Sequence, residues 1–195
     1  MIRIALVGDI GSGKSYFSKL FKFPVFNADL EVTRIYVKDK NFNKLIKNKF
    51  PQELFSFPLK KEELIKFILA NPGNLKKLSK IVHPIVRKKL NIFLKKNKNK
   101  KFVILDIPLY LENKINIKND VIVFIDSKNK DIRSRLLKRK SFNKKLFKIF
   151  KKIQLPLKIK KKRSNFIIKN EFTTKKAKES VKYILTQLKN ERNNT

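Results

Sequence analysis

Three of the four glycines in this 195-residue chain fall in one short stretch, Gly8-Asp9-Ile10-Gly11-Ser12-Gly13-Lys14-Ser15. The pattern Gly-x-x-x-x-Gly-Lys-Ser is that of a loop that cradles phosphates. Successive backbone N–H groups must turn inward toward the anion, and glycine tolerates the dihedrals this needs. A helix opening at the end of the loop adds its positive dipole end. In such a loop Lys14 reaches the β- and γ-phosphates of a nucleoside triphosphate, and the Ser15 hydroxyl binds Mg2+. Asp9, Ile10, Gly11, Ser12, Gly13, Lys14, Ser15 and Tyr16 are therefore the candidate ATP-binding residues.

A loop of this kind works only between a strand and a helix, and the flanking sequence supplies both. Ile2 to Val7 is an unbroken apolar run that ends at Gly8, and helical spacing begins near Lys14. Pro24-Val25-Phe26-Asn27 reads as a second short strand. Phe102 to Asp106 and Asp120 to Asp126 are further continuous apolar runs, as expected of strands covered on both faces. Phe166-Ile167-Ile168 reads as a last strand, and Thr173 or Thr174 starts a final helix with Ala177, Val181, Ile184 and Leu188 toward the core. Residues 30 to 98 show helical spacing throughout, with one helix running through His83-Pro84. Residues 128 to 163 read as helical and very basic. Strands alternating with helices predict an α/β fold with a parallel sheet of five strands and helices on both faces.

Composition bounds the remaining possibilities. Apolar residues make up 42% of the chain, enough for a core, and the absence of cysteine excludes disulfides and thiolate metal sites. No apolar run approaches the length that spans a bilayer, so a cytoplasmic protein is expected, as a monomer or small homo-oligomer. The net charge of +35 admits two readings. It attracts nucleic acid non-specifically, or it follows from a Lys-, Asn-, Ile- and Phe-rich composition spread over every segment. The second is favoured, because the lysines form no single stripe.

With these motifs placed, the chain resembles the dephospho-coenzyme A kinases, a family of small P-loop kinases, from about Ile2 to Asn170. Ile10 to Ser15 is similar to the family's version of the loop. Asn27-Ala28-Asp29 stands where the family has Asp-Ala-Asp. Leu78 to Arg87, centred on His83-Pro84, resembles its Leu-x-x-x-x-His-Pro segment. Leu105-Asp106-Ile107-Pro108-Leu109 with Glu112 resembles its Asp-x-Pro-Leu-Leu-x-Glu stretch. Arg135 and Arg139 match basic positions leading into a lid, and Gln154 and Asn170 match residues flanking its end. The resemblance implies a three-layer P-loop NTPase fold, the parallel sheet between helices, with three parts: a core of residues 1–29, 101–137 and 164–195, a helical substrate-binding insertion at 30–100 and a helical lid at 138–163. It implies transfer of phosphate from ATP, with Mg2+, to the ribose 3′-hydroxyl of dephospho-coenzyme A, the last step of coenzyme A synthesis.

The resemblance also assigns roles, each with a plainer alternative. Asp29, just past the second strand, orients or deprotonates the acceptor hydroxyl; alternatively it caps the next helix. Asn27 departs from the family's Asp and cannot act as a base, which concentrates that role on Asp29. Asp106 joins Ser15 as a metal-associated carboxylate, or caps a turn before Pro108. His83, Pro108 and Leu109 join Asp29 in binding substrate, or His83 is a satisfied helix residue. Arg139 stabilises charge on the transferred group. Lys160 stands near a lid position where the family has Arg. Asp9, in place of a family Gly, either puts charge near the phosphates or turns outward to solvent. The rival readings are another small-molecule or nucleotide P-loop kinase, a diverged kinase kept as a binding module, and a basic nucleic-acid-binding P-loop protein.

Overall fold

The computed structural model describes residues 1–139 and 142–193. Residues 140 and 141 of the expected lid, and the last two residues of the expected core, lie outside this range. Among the described residues the order is β1 (Ile2–Gly8), α1 (Lys14–Leu20), β2 (Val25–Asn27), α2 (Ala28–Lys38), α3 (Lys40–Lys49), α4 (Lys61–Ala70), α5 (Gly73–Lys96), β3 (Phe102–Asp106), β4 (Val121–Ser127), α6 (Asn129–Leu137), α7 (Lys144–Lys152), α8 (Leu157–Lys162), β5 (Phe166–Asn170) and α9 (Thr174–Asn193). The chain clusters into two compact units. One comprises residues 1–27, 97–142 and 153–195; the other comprises 28–96 and 143–152.

The first unit holds the sheet, with all neighbours parallel in the order β2-β3-β1-β4-β5. The apolar runs explain the order. β1 and β3 lie inside the sheet, and every residue of β3 is buried. Alternation puts Ile4, Leu6, Phe102, Ile104, Val123, Ile125 and Ile168 on one face, packed with Phe17 of α1, Phe21 just after it, and Ala177, Val181, Ile184 and Leu188 of α9. The strand connections leave β1 toward β2 and leave β4 toward β5, so β1 and β4 flank the point where the winding changes direction. Ligands gather outside the carboxyl ends of strands at such a point.

The second unit is helical. Ile35, Phe42, Ile46, Leu54, Phe67, Ile68, Leu78 and Val82 form its core. α5 runs through Pro84, as the spacing predicts, although proline removes one helical hydrogen bond. Among the described residues the basic stretch 128–163 is helical, as the spacing predicts, and carries α6, α7 and α8. Asn143 precedes α7 and caps it, its Oδ1 accepting from Leu146 N at 2.9 Å, and Pro156 precedes α8. The expected lid segment is thereby shared between the units. Leu146 and Ile149 of α7 pack on the helical core, while α8 packs on β1. No described helix is long and apolar enough to cross a membrane.

Candidate active site

The glycine loop runs from the carboxyl end of β1 into α1. Gly8, Gly11 and Gly13 have φ of +149°, +83° and +100°, a region L side chains rarely adopt. Space forbids side chains there as well. A Cβ on Gly8 would lie 2.7 Å from the Ile125 carbonyl oxygen, and one on Gly13 would lie 2.8 Å from Asn170 Nδ2. A Cβ on Gly11 would press on Leu136 and Ile132 of α6, at 3.1 and 3.2 Å. Gly13 is the residue before α1 and offers no side-chain cap. The first N–H groups of a helix have no partner within it, so this start suits an anion. Lys14 Nζ donates to the carbonyl oxygens of Asp9 at 2.7 Å and Gly8 at 3.4 Å, which holds the ammonium at the loop. Ser15 and Tyr16 are exposed on the first turn of α1, and the Tyr16 hydroxyl donates to Thr174 Oγ1 at 3.3 Å.

Asp9 does not turn outward to solvent. It is buried, and its Oδ1 accepts from the N–H of Ile10 at 2.7 Å. The residue serves the loop's own turn, as Asp side chains do when they bond nearby backbone.

Asn27 and Asp106 end β2 and β3 as register partners. Asn27 Nδ2 donates to Asp106 Oδ2 at 2.7 Å, and Asp106 is 3% exposed. In this chain Asn27 therefore serves as a neutral donor to that buried carboxylate. Asp106 ends its strand two residues before Pro108. Ile107, Pro108 and Leu109 follow directly and line one cleft with Gly8, Lys14 and Lys160. Leu109 is left-handed, with φ of +58°, an unusual conformation for a bulky residue.

Asp29 is exposed in the first turn of α2, inside the helix and not at the position before it. A carboxylate there is favoured by the helix dipole. His83 is half-buried in α5, and its pKa is held below the ordinary histidine value by burial and, secondarily, by Arg87. Asp29 and His83 belong to the helical unit; the glycine loop, Asp106, Pro108 and Leu109 belong to the sheet unit. Arg139 is exposed just beyond α6, in the sheet unit.

Several contacts at the site carry no local signal in the sequence. Lys160, on the six-residue α8, is 2% exposed and its Nζ lies 2.7 Å from Glu112 Oε1. The same oxygen accepts from Leu155 N at 3.0 Å. Asn170 and Ser127 both donate to the Ser12 carbonyl oxygen. The guanidinium of Arg135 lies over the Phe172 ring, 4.3 Å from its centroid. The resemblance singled out Glu112, Asn170 and Arg135 without saying what they touch; nothing marked Ser127.

A parallel sheet of this order, with a glycine loop feeding a helix from its central strand, defines a P-loop nucleotide-binding fold. The family profile described as dephospho-CoA kinase matches residues 2–176. The dephospho-CoA kinase of Wolbachia from Brugia malayi is 33% identical over 190 residues, covering 95% of this chain and 97% of the relative. That of Agrobacterium fabrum is 32% identical over 193 residues, covering 96% and 98%. The crystal structure of TT1252 from Thermus thermophilus superposes with a TM-score of 0.77 at 25% identity, covering 96% of this chain and 97% of that one. Dephospho-CoA kinase from Campylobacter jejuni shares the fold, with a TM-score of 0.61 at 22% identity and coverage of 95% and 96%. The chain belongs to the dephospho-CoA kinase family. It is a phosphotransferase of the final step of coenzyme A biosynthesis, and these relatives do not favour the rival readings.

Proposed function

We propose that the glycine loop binds ATP and that the γ-phosphoryl group passes to the ribose 3′-hydroxyl of dephospho-coenzyme A. The observation that carries this reading is the loop itself: three glycines at positive φ leading into a helix start with no side-chain cap. Backbone N–H groups from Gly11 to Ser15 receive the phosphates, and Lys14 exchanges its carbonyl partners for phosphate oxygens. Asp29 accepts the proton of the attacking hydroxyl. The O3′–P bond forms, the bridging O–P bond to the β-phosphate breaks, and ADP leaves. Arg139 stabilises charge on the group in transfer. His83, Pro108 and Leu109 shape the acceptor side with Asp29. We place the reaction in the cytoplasm, in a monomer or small homo-oligomer.

Mg2+ takes hard oxygen donors and is commonly held by one or two protein groups plus substrate phosphates. The Ser15 hydroxyl and the Asp106 carboxylate are donors of that kind, and no cluster of three or more His, Cys, Asp or Glu among the described residues builds an all-protein cage. These two residues would hold the ion, which when bound neutralises charge on the phosphates.

A coupled ADP-release assay tests the reading. Turnover is expected with dephospho-coenzyme A, and its absence overturns the acceptor. Lys14→Ala is expected to abolish transfer. Asp29→Asn is expected to retain ATP binding and lose about a hundredfold or more in kcat; normal turnover of that variant removes Asp29 from the base role.

A further inference from the structure

The carbonyl oxygen of Ser12, in the middle of the loop, accepts two side-chain hydrogen bonds. Ser127 Oγ donates at 2.9 Å and Asn170 Nδ2 at 2.8 Å. The donors end β4 and β5, the two strands on one side of β1. Asn170 is 5% exposed, and its Oδ1 accepts from Phe172 N at 2.9 Å, so its amide is held at both ends. Gly13 leaves room for it, since a Cβ there would stand 2.8 Å from Asn170 Nδ2.

A trans peptide is a rigid plane whose C=O and following N–H point in opposite directions. Fixing the Ser12 carbonyl therefore fixes the Gly13 N–H. We propose that Ser127 and Asn170 are positioning residues for the donor nucleotide: by pulling the Ser12 carbonyl toward the ends of β4 and β5 they aim the Gly13 N–H into the phosphate cradle. The inference rests on the donor-site reading of the loop. Gly13 supplies one of the two dihedrals that adjoin this peptide, and Gly11 stands just before Ser12, so the backbone by itself holds its orientation weakly. The two bonds organise it before the ligand arrives, which lowers the cost of binding. The acceptor plays no part in this arrangement.

The test is a titration of ATP on Ser127→Ala, Asn170→Ala and the double variant, with kcat and both KM values measured in parallel. Each single change is expected to weaken ATP binding about three- to tenfold, the effect of one lost hydrogen bond. The double change weakens it further, and KM for dephospho-coenzyme A stays unchanged. Ser127→Thr keeps the hydroxyl and is expected to bind ATP within about twofold of wild type. Unchanged ATP affinity in the double variant overturns the proposal. So do equal losses for ATP and acceptor with a lowered melting temperature, the mark of a merely structural role. Should Asn170→Ala not fold, Ser127→Ala, which removes one half-buried hydroxyl, decides alone. A wild-type chain that binds no ATP overturns the donor-site reading and the proposal together, whereas wild-type binding with unaltered variants overturns the proposal only.

Discussion

Asn27, an amide where the family pattern has Asp, is paired with a carboxylate on the neighbouring strand. Its Nδ2 donates to the buried carboxylate of Asp106, its register partner across β2 and β3. Asn27→Asp would set two carboxylates face to face, and like charges raise the pKa of one of them. A folded-state pKa raised above its unfolded value lends stability that is present at low pH and lost as pH rises through it. Thermal melts of Asn27→Asp against wild type are therefore expected to show a deficit of about 1–3 kcal/mol at neutral pH that narrows as pH falls toward the carboxylate range. A deficit independent of pH would mean that lost packing, not charge, is responsible.

Glu112 and Lys160 pose a related question with opposite charges. Both are nearly inaccessible, and they line the cleft shared with Gly8 and Lys14. Removing one partner of a buried pair leaves the other unpaired, at a cost of about 3–5 kcal/mol. Lys160→Met is expected to lose that much in urea unfolding. Adding Glu112→Gln is expected to return part of it, because no net charge then remains buried. Strict additivity in the double-mutant cycle would deny the coupling.

At the scale of the element, the glycine loop and α5 show how local rules extend into tertiary structure. The loop's glycines answer both to dihedral need and to neighbours that crowd them from β4, α6 and β5. α5 continues through Pro84 because its other face is tied down by Leu78, Val82 and Leu90, all buried. His83 sits on that helix with its pKa lowered, first by burial and then by Arg87. The folded state thus binds the proton less tightly than the unfolded state. Stability from this source is complete above the ordinary histidine range and is lost as pH falls through it. Wild type should lose melting temperature between about pH 7.5 and 5.5 more steeply than His83→Gln. Parallel curves would show that His83 is not the group responsible.

For the whole molecule, 50 Lys and Arg against 15 Asp and Glu dominate the electrostatics. Lysines occur in every described helix and in β5, so the field belongs to the surface at large. Association with RNA at low salt is expected from this charge alone, with affinity falling at least tenfold between about 50 and 200 mM salt. Filter binding across that range checks it. Affinity that survives the salt would point to a built nucleic-acid site. The same surplus suits polyphosphate substrates without being specific for them.

Some of this protein was legible from the chain alone. The Gly-Lys-Ser loop, the apolar strand runs and the helical spacing depend on neighbours a few positions away, so they can be read from local patterns. Their order along the chain was enough to reach the parallel sheet and the kinase family. Other features belong only to the tertiary structure. The strand order β2-β3-β1-β4-β5, the division of the basic stretch between two units and the cover over Asp9 leave no trace in periodicity. The contacts that shape the site join residues far apart: Asn170 and Ser127 reach Ser12 across 158 and 115 positions, and Asn27 reaches Asp106 across 79. Sequence patterns record which face of an element is apolar. Which polar side chain meets which carbonyl is decided only when packing brings distant strand ends together, and buried polar groups must then find their partners there.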